Sequence, residues 1–279
     1  VKVQPRIWFI TGVSTGFGLE LAKAALGQGD IVAGTVRRTE DAPVFEGLAP
    51  DRAHAFQFDV TQTHAAPAIA AQVVEKFGHA DVIVNNAGFG LVGAVEELSD
   101  DDIRYQMDVN FFGALAVMRA FLPHLRARRA GRILNLSSIA GVAANPGLGL
   151  YNASKFALEG VSEALAKELA PLGVKVTIIE PGPFRTEFAG RSLRTAAPIA
   201  DYEATAGAIR RYFEQANGKQ VGDPVKAAHA MLKLVELENP PLRLVMGNPA
   251  VNGIRNKLQG QLAELAENEA WSRSLDYEG

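Results

Sequence analysis

Residues 6–18 read Arg-Ile-Trp-Phe-Ile-Thr-Gly-Val-Ser-Thr-Gly-Phe-Gly, an apolar run that ends in three closely spaced glycines. The run from Arg6 to Ile10 has the β-branched and aromatic character of a buried strand, and from Gly16 the pattern turns helical. Between them, Gly12, Gly16 and Gly18 let the backbone turn sharply and lie against a phosphate. The helix that follows offers unpaired N–H groups and the positive end of its dipole. A glycine triplet alone is a weak signal, and a purely structural tight turn is the alternative. Its place between strand and helix favours a dinucleotide cradle built from Gly12, Ser14, Thr15, Gly16, Phe17 and Gly18.

Working outward, apolar runs recur near Arg6–Ile10, Ile31–Thr35, Ala53–Phe58, Asp81–Asn85, Gly131–Leu136, Val174–Glu180 and Leu242–Val245. Helix-length stretches fill the gaps: about Gly16–Gln28, Ala66–Phe77, Asp100–Arg129, Tyr151–Ala170, Tyr202–Asn217 and Pro224–Leu237. Pro123 should kink the third helix or start a new segment. This alternation predicts an α/β fold, a doubly wound Rossmann sheet of seven mainly parallel strands with helices on both faces. Ligands then bind beyond the carboxyl ends of the strands. No linker divides residues 1–279, so one domain is expected.

Composition narrows the function. Hydrophobic residues make up 48% and charged residues 21% of 279, which excludes disordered and fibrous classes. The formal charge of −3 leaves no footprint for nucleic acid or an anionic membrane, and points to a small-molecule partner. Cysteine is absent, which removes thiolate nucleophiles, thiolate metal sites and disulfides. His54, His64, His79, His124 and His229 are scattered without a metal-binding helical pair, so no metal is expected. No apolar run reaches bilayer length and no signal-peptide pattern stands at the start, which reads as cytoplasmic.

The spacing Gly-x-x-x-Gly-x-Gly at residues 12–18 resembles the short-chain dehydrogenase/reductase family. The second strand ends Thr35-Val36-Arg37-Arg38, where an acidic residue would bind the adenosine ribose diol and a guanidinium suits a 2′-phosphate. NADP(H) is therefore favoured over NAD(H), with Arg37 as main contact and Arg38 as support; the alternative is a solvated arginine pair. At the end of the third strand, Asp59 and Val60 match family positions that hold the adenine, although Asp59 also suits a helix N-cap. Asn86, Ala87 and Gly88, in Asn85-Asn86-Ala87-Gly88, match the family turn that lines the cofactor's ribose side.

Tyr151 and Lys155 lie four apart at the start of a helix and so share one face. An ammonium beside a phenol favours phenolate and brings its pKa toward the working pH. Ser138 stands at the end of the fifth strand, where a hydroxyl can donate to a substrate carbonyl oxygen. Together with Pro181-Gly182, these motifs occur in the family's order over about residues 5 to 190. By that resemblance Tyr151 is the general acid/base, and Lys155 lowers its pKa and binds the ribose. Ser138 orients the carbonyl, and Asn110 supports a proton relay through water. Pro181, Gly182 and Thr186 are the matching nicotinamide contacts. The implied reaction moves hydride between nicotinamide and a carbonyl or alcohol, with reduction the favoured direction. A dinucleotide-sensing protein without turnover is the alternative on the same fold, disfavoured by the intact Ser138, Tyr151 and Lys155.

Two segments break the simple alternation. Residues 184–222, with Phe184, Phe188 and Tyr202, form a long insertion that suits a mobile flap over the site. Beyond Gly247, the steps Ile254, Leu258, Leu262 and Leu265 mark an amphipathic helix in an extension of about residues 248–279, free to pack on its own domain or on a second subunit. By resemblance a homodimer through the long helices is expected, with the family's common homotetramer put in doubt by this extension.

Overall fold

In the computed structural model, which describes residues 4–277, the chain alternates strand and helix almost throughout. The strands are β1 (Ile7–Ile10), β2 (Ile31–Val36), β3 (Ala53–Gln57), β4 (Val82–Asn85), β5 (Gly90–Val92), β6 (Gly131–Leu136), β7 (Val174–Pro181), β8 (Leu193–Thr195) and β9 (Arg243–Met246). The helices are α1 (Gly16–Gly27), α2 (Ala42–Glu46), α3 (Ala66–Phe77), α4 (Asp100–Met107), α5 (Gly113–Arg128), α6 (Gly149–Leu169), α7 (Ala206–Ala216), α8 (Pro224–Glu236) and α9 (Asn248–Arg273).

Seven strands form one parallel sheet in the order β3-β2-β1-β4-β6-β7-β9. The fold is therefore the expected Rossmann arrangement. Because successive side chains alternate, Trp8 and Ile10 face one layer while Phe9 faces the other. The first layer packs Leu21, Ala25, Met231 and Val235 of α1 and α8. The second packs Val73, Phe121, Leu125 and Leu158 of α3, α5 and α6. Fully covered strands read as continuous apolar runs, which is why this sheet was visible in the sequence. The chain leaves β1 toward β2 on one side and returns to β4 on the other, and the crevice opens at that reversal.

The expected helix over 100–129 runs helically from Asp100 to Arg128 and widens into a π turn at Asp108–Phe112 that divides it into α4 and α5. The expected kink or new segment at Pro123 is corrected, since α5 continues through it. Pro123 lies on the exposed face, where water can satisfy the carbonyl that loses its partner. The expected helix over 202–217 starts later, at Ala206.

The insertion is fastened to the body. Phe184 bridges Gly222 at its base, and β8 pairs in parallel with β5 as a separate two-stranded sheet. In α9, Ala250 and Ile254 are buried on the body, while Leu258, Leu262 and Leu265 are exposed, so the expected stripe packs only along its first turns. The extreme residues of the expected single domain, 1–3 and 278–279, lie outside the described residues. No helix among the described residues is long and apolar enough to cross a membrane.

Candidate active site

The first turn of the crevice is held open by the sheet itself. Gly12 and Gly16 adopt φ of +72° and +60°, a region that suits glycine. Asn86 Nδ2 donates to the carbonyls of Thr11 (2.8 Å) and Gly12 (2.9 Å), while Thr11 Oγ1 accepts from the backbone of Asn86 and Ala87. Gly12 N–H donates to Thr35 Oγ1 at 3.0 Å. A Cβ on Gly18 would lie 2.2 Å from Gly12 O and 2.4 Å from Asn86 Nδ2. Thr15 precedes α1 without a side-chain cap, so the N–H groups of the first turn face the crevice unbonded by one. This arrangement fits the pyrophosphate of a dinucleotide.

A cavity of about 710 Å³ runs from this turn in both directions. Toward the end of β2 it is lined by Arg37, Arg38, Asp59 and Val60. Arg38 is committed to Asp41, with Nη2–Oδ1 at 2.7 Å and Nε–Oδ2 at 3.1 Å, and this ion pair holds the Asp41 carboxyl below its ordinary pKa. Arg37 makes only a long contact, 3.5 Å, to the Tyr105 hydroxyl. Asp59 Oδ1 accepts from the backbone and hydroxyl of Thr61 in a local turn. Asp59 is not the expected helix N-cap, since Gln62 and Ala65 precede the helical turns that follow.

At the other end the wall carries Ser138, Tyr151 and Lys155. Two buried side-chain hydrogen bonds set the placement of α6: Asn85 Nδ2 to Asn135 Oδ1 and Asn135 Nδ2 to Ser162 Oγ, both 2.7 Å. They tie β4 to β6 and β6 to the helix that bears Tyr151 and Lys155. Asn152 Nδ2 then donates to Ala140 O at 2.8 Å, fixing the turn that carries Ser138. Ser138 Oγ itself accepts from Ala140 N–H at 3.1 Å.

The electrostatics differ from the simple expectation. Burial pushes the Tyr151 phenol up to about 12, and the neighbouring Ser138 hydroxyl opposes it. Burial pushes Lys155 down to about 8, opposed by the charge of Glu159. The ammonium stands 5.9 Å from the Tyr151 ring centroid and donates to Leu136 O at 2.7 Å. Desolvation of the phenol thus sets the direction of its shift, with the Ser138 hydroxyl opposing it.

Asn110 and Gly18 stand behind the cavity rather than on its wall. Asn110, in the π turn, accepts from Phe89 N–H (3.0 Å) and donates to Phe89 O (3.0 Å) and to Ser154 Oγ (3.1 Å). Ser154 in turn donates to Tyr151 O at 2.7 Å. The remaining expected residues, Ser14, Phe17, Ala87, Gly88, Pro181, Gly182 and Thr186, all line the cavity. Thr186 sits across from Gly16, where an added Cβ would meet it at 3.7 Å.

Tyr105, Leu148, Ile209 and Phe213 carry no motif and enter the site only through the fold. The four-residue step from Ile209 to Phe213 was the one available signal. Phe188 of the flap lies 5.4 Å from the Tyr151 ring and 6.3 Å from Phe213, ring centroid to centroid, giving the phenol an apolar surround.

The model of the family described as short chain dehydrogenase matches residues 6–197, more than half of the chain. This chain belongs to the short-chain dehydrogenase family. A member from Streptomyces avermitilis, solved as a short-chain dehydrogenase, is 40% identical, with 99% of this chain and 100% of that one covered and a TM-score of 0.93. The 3-ketodihydrosphingosine reductase of Bacteroides thetaiotaomicron is 38% identical over 88% of this chain and 89% of its own. Two more distant dehydrogenase-fold structures carry cofactors. A serine dehydrogenase holds NADP+ (27% identity, 86% and 94% covered, TM-score 0.74). A 3-ketoacyl-(acyl-carrier-protein) reductase from Brucella melitensis holds NADH (26%, 86% and 96%, TM-score 0.73). The chain is thus a dehydrogenase/reductase acting on CH–OH or C=O groups with a nicotinamide dinucleotide.

Proposed function

We propose that the chain is an NADP(H)-dependent oxidoreductase acting on the carbonyl or secondary alcohol of an apolar small molecule, with Tyr151 as general acid/base. The observation that carries this reading is the placement of Tyr151, Ser138 and Lys155 on one wall of the cavity that the glycine turn opens. The cofactor, when bound, supplies or accepts the hydride. In reduction, Ser138 donates to the carbonyl oxygen and Tyr151 Oη gives it a proton as negative charge builds there. The phenol, pushed up to about 12 by burial, carries its proton near neutrality, as the reduction step requires, and the same burial makes it a weaker acid than a free tyrosine. In the reverse direction the Lys155 ammonium stabilises the phenolate, and its two remaining N–H donors are available to the cofactor's ribose. Asn110 acts from behind, through Ser154 and the Tyr151 carbonyl.

Support for the phosphorylated cofactor comes from Arg37, whose guanidinium, unlike that of Arg38, has no carboxylate partner among the described residues. Nicotinamide absorbance followed with NADPH and NADH separately, across ketones, aldehydes, quinones and steroids, tests both parts. Tyr151→Phe should lose turnover by roughly 100-fold or more; comparable turnover would end the proton-transfer assignment. Arg37→Ala should weaken NADPH and spare NADH, and stronger use of NADH unchanged in that variant would overturn the preference. Phe112 and Phe156, 46% and 43% exposed beside α5 and on α6, support self-association through these helices, which sedimentation velocity of Phe156→Glu would check by loss of the dimer.

A further inference from the structure

Beneath the reacting wall lies a second cluster of ionisable groups that the hydride chemistry does not use. Lys155, Glu159 and Glu163 follow one another at four-residue steps along α6 and form one stripe. The register of the sheet edge brings two more groups to it. Ile178 pairs with Arg243 and Glu180 with Val245, so Glu180, two residues beyond Ile178, projects from the same face as Arg243. Arg243 Nε lies 3.2 Å from Glu159 Oε2 and 3.2 Å from Glu180 Oε1, and its Nη2 donates to Glu163 Oε2 at 2.8 Å.

The donors run short. Arg243 Nε is aligned on Glu159 and Nη2 on Glu163, leaving Glu180 with no aligned donor on either oxygen, although its side chain is wholly buried. Glu159 Oε1 and the Ser137 hydroxyl are buried beside each other, the hydroxyl opposing the burial that raises Glu159, but they stop short of hydrogen-bond geometry. A buried carboxylate without donors carries a large desolvation cost, whereas one proton placed between two adjacent carboxyls supplies the missing O–H donor.

We propose that Glu159 and Glu180 hold one proton between them, as a carboxylic acid bonded to a carboxylate, and that this pair positions the charge of Lys155. The single negative charge, one helical turn from the ammonium, keeps Lys155 protonated in a site where desolvation works against it. The charged groups facing the pair are Lys155 and Glu163 on α6 and Arg243 on β9, with Lys167 on the far side of Glu163. Burial and the neighbouring Glu159 raise Glu180 to about 7, while Arg243 and Lys167 hold Glu163 at about 2, so Glu163 is not the proton's seat. Glu159 and Glu180 are thus positioning residues acting through Lys155, and only the kinetic part of this inference rests on the role given to Lys155 above.

Three measurements on the full chain test it. Infrared difference spectra of wild type against Glu180→Gln at pH 6 should contain the carbonyl band of a protonated carboxylic acid, shifting in D2O; its absence would overturn the shared proton whatever the enzyme's activity. Titration of the Lys155 side-chain ε-carbon signal by NMR should move down by about one pH unit in Glu159→Gln. In Glu180→Gln, whose amide mimics the protonated acid and leaves Glu159 charged, it should stay in place. Equal shifts in the two variants, or none in Glu159→Gln, would refute the positioning role. The alkaline limb of kcat/KM should follow the NMR titration in Glu159→Gln, and a limb unmoved while the Lys155 signal shifts would detach the pair from catalysis.

Discussion

Replacing Asn110 by alanine strips three hydrogen bonds from the π turn between α4 and α5. The Phe89 N–H loses its acceptor, while Phe89 O keeps the Gln106 amide as a donor and Ser154 keeps its bond to Tyr151 O. An orphaned, partly buried N–H costs about 1–2 kcal/mol, and the two lost donations about 1 kcal/mol each, so the whole change is about 3–4 kcal/mol. Asn110→Asp keeps the acceptor for Phe89 N–H but sets a buried carboxylate against Phe89 O, and should be no more stable than the alanine variant. Urea unfolding followed by both fluorescence and circular dichroism measures the difference. An Asn110→Ala protein that unfolds within 1 kcal/mol of wild type, at unchanged slope, would refute the assignment of Asn110 as the lock of this π turn.

Gly18→Ala should weaken dinucleotide binding at least about tenfold by calorimetry, because the new methyl collides with Gly12 O and Asn86 Nδ2 and must push the turn out of shape; an unchanged Kd would mean the turn is not the cradle. Glu180 ties stability to pH. Its pKa is raised on folding from 4.5 to about 7, so its contribution is fully present below 4.5 and is lost as pH rises through about 7. The loss amounts to about 3 kcal/mol at 1.36 kcal/mol per unit. Urea midpoints of Glu180→Gln should therefore decline less between pH 5 and pH 8 than those of wild type, and parallel declines would contradict the buried acid.

The sheet and most of the site were legible because each depended on neighbours in the chain. The central strands β1 and β4 are covered on both faces and so read as apolar runs, Gly12, Arg37 and Asn86 sit just past strand ends, and Tyr151 opens the helix after β6. What the sequence hid depended on distant partners. The π turn at Asn110 is held by bonds to Phe89 and Ser154, and Pro123, on the exposed face, leaves α5 intact. β5 and β8 are three residues each and pair across a hundred residues. Glu180 and Arg243 become neighbours through the register of β7 with β9, and Glu159 reaches them from α6. The acidification of Tyr151 by Lys155 was argued from spacing alone, which carries no information about how dry the phenol would be.

The fastening of residues 184–222 at Phe184 and Gly222 has a practical meaning for redesign. Phe188, Ile209 and Phe213, which face the phenol, all lie on that one stretch, whereas Gly12, Asn86 and Lys155 lie elsewhere in the chain. Grafting the stretch between homologues, with Phe184, Thr186 and Gly222 retained, should exchange the preferred ketone without rebuilding the redox half of the enzyme.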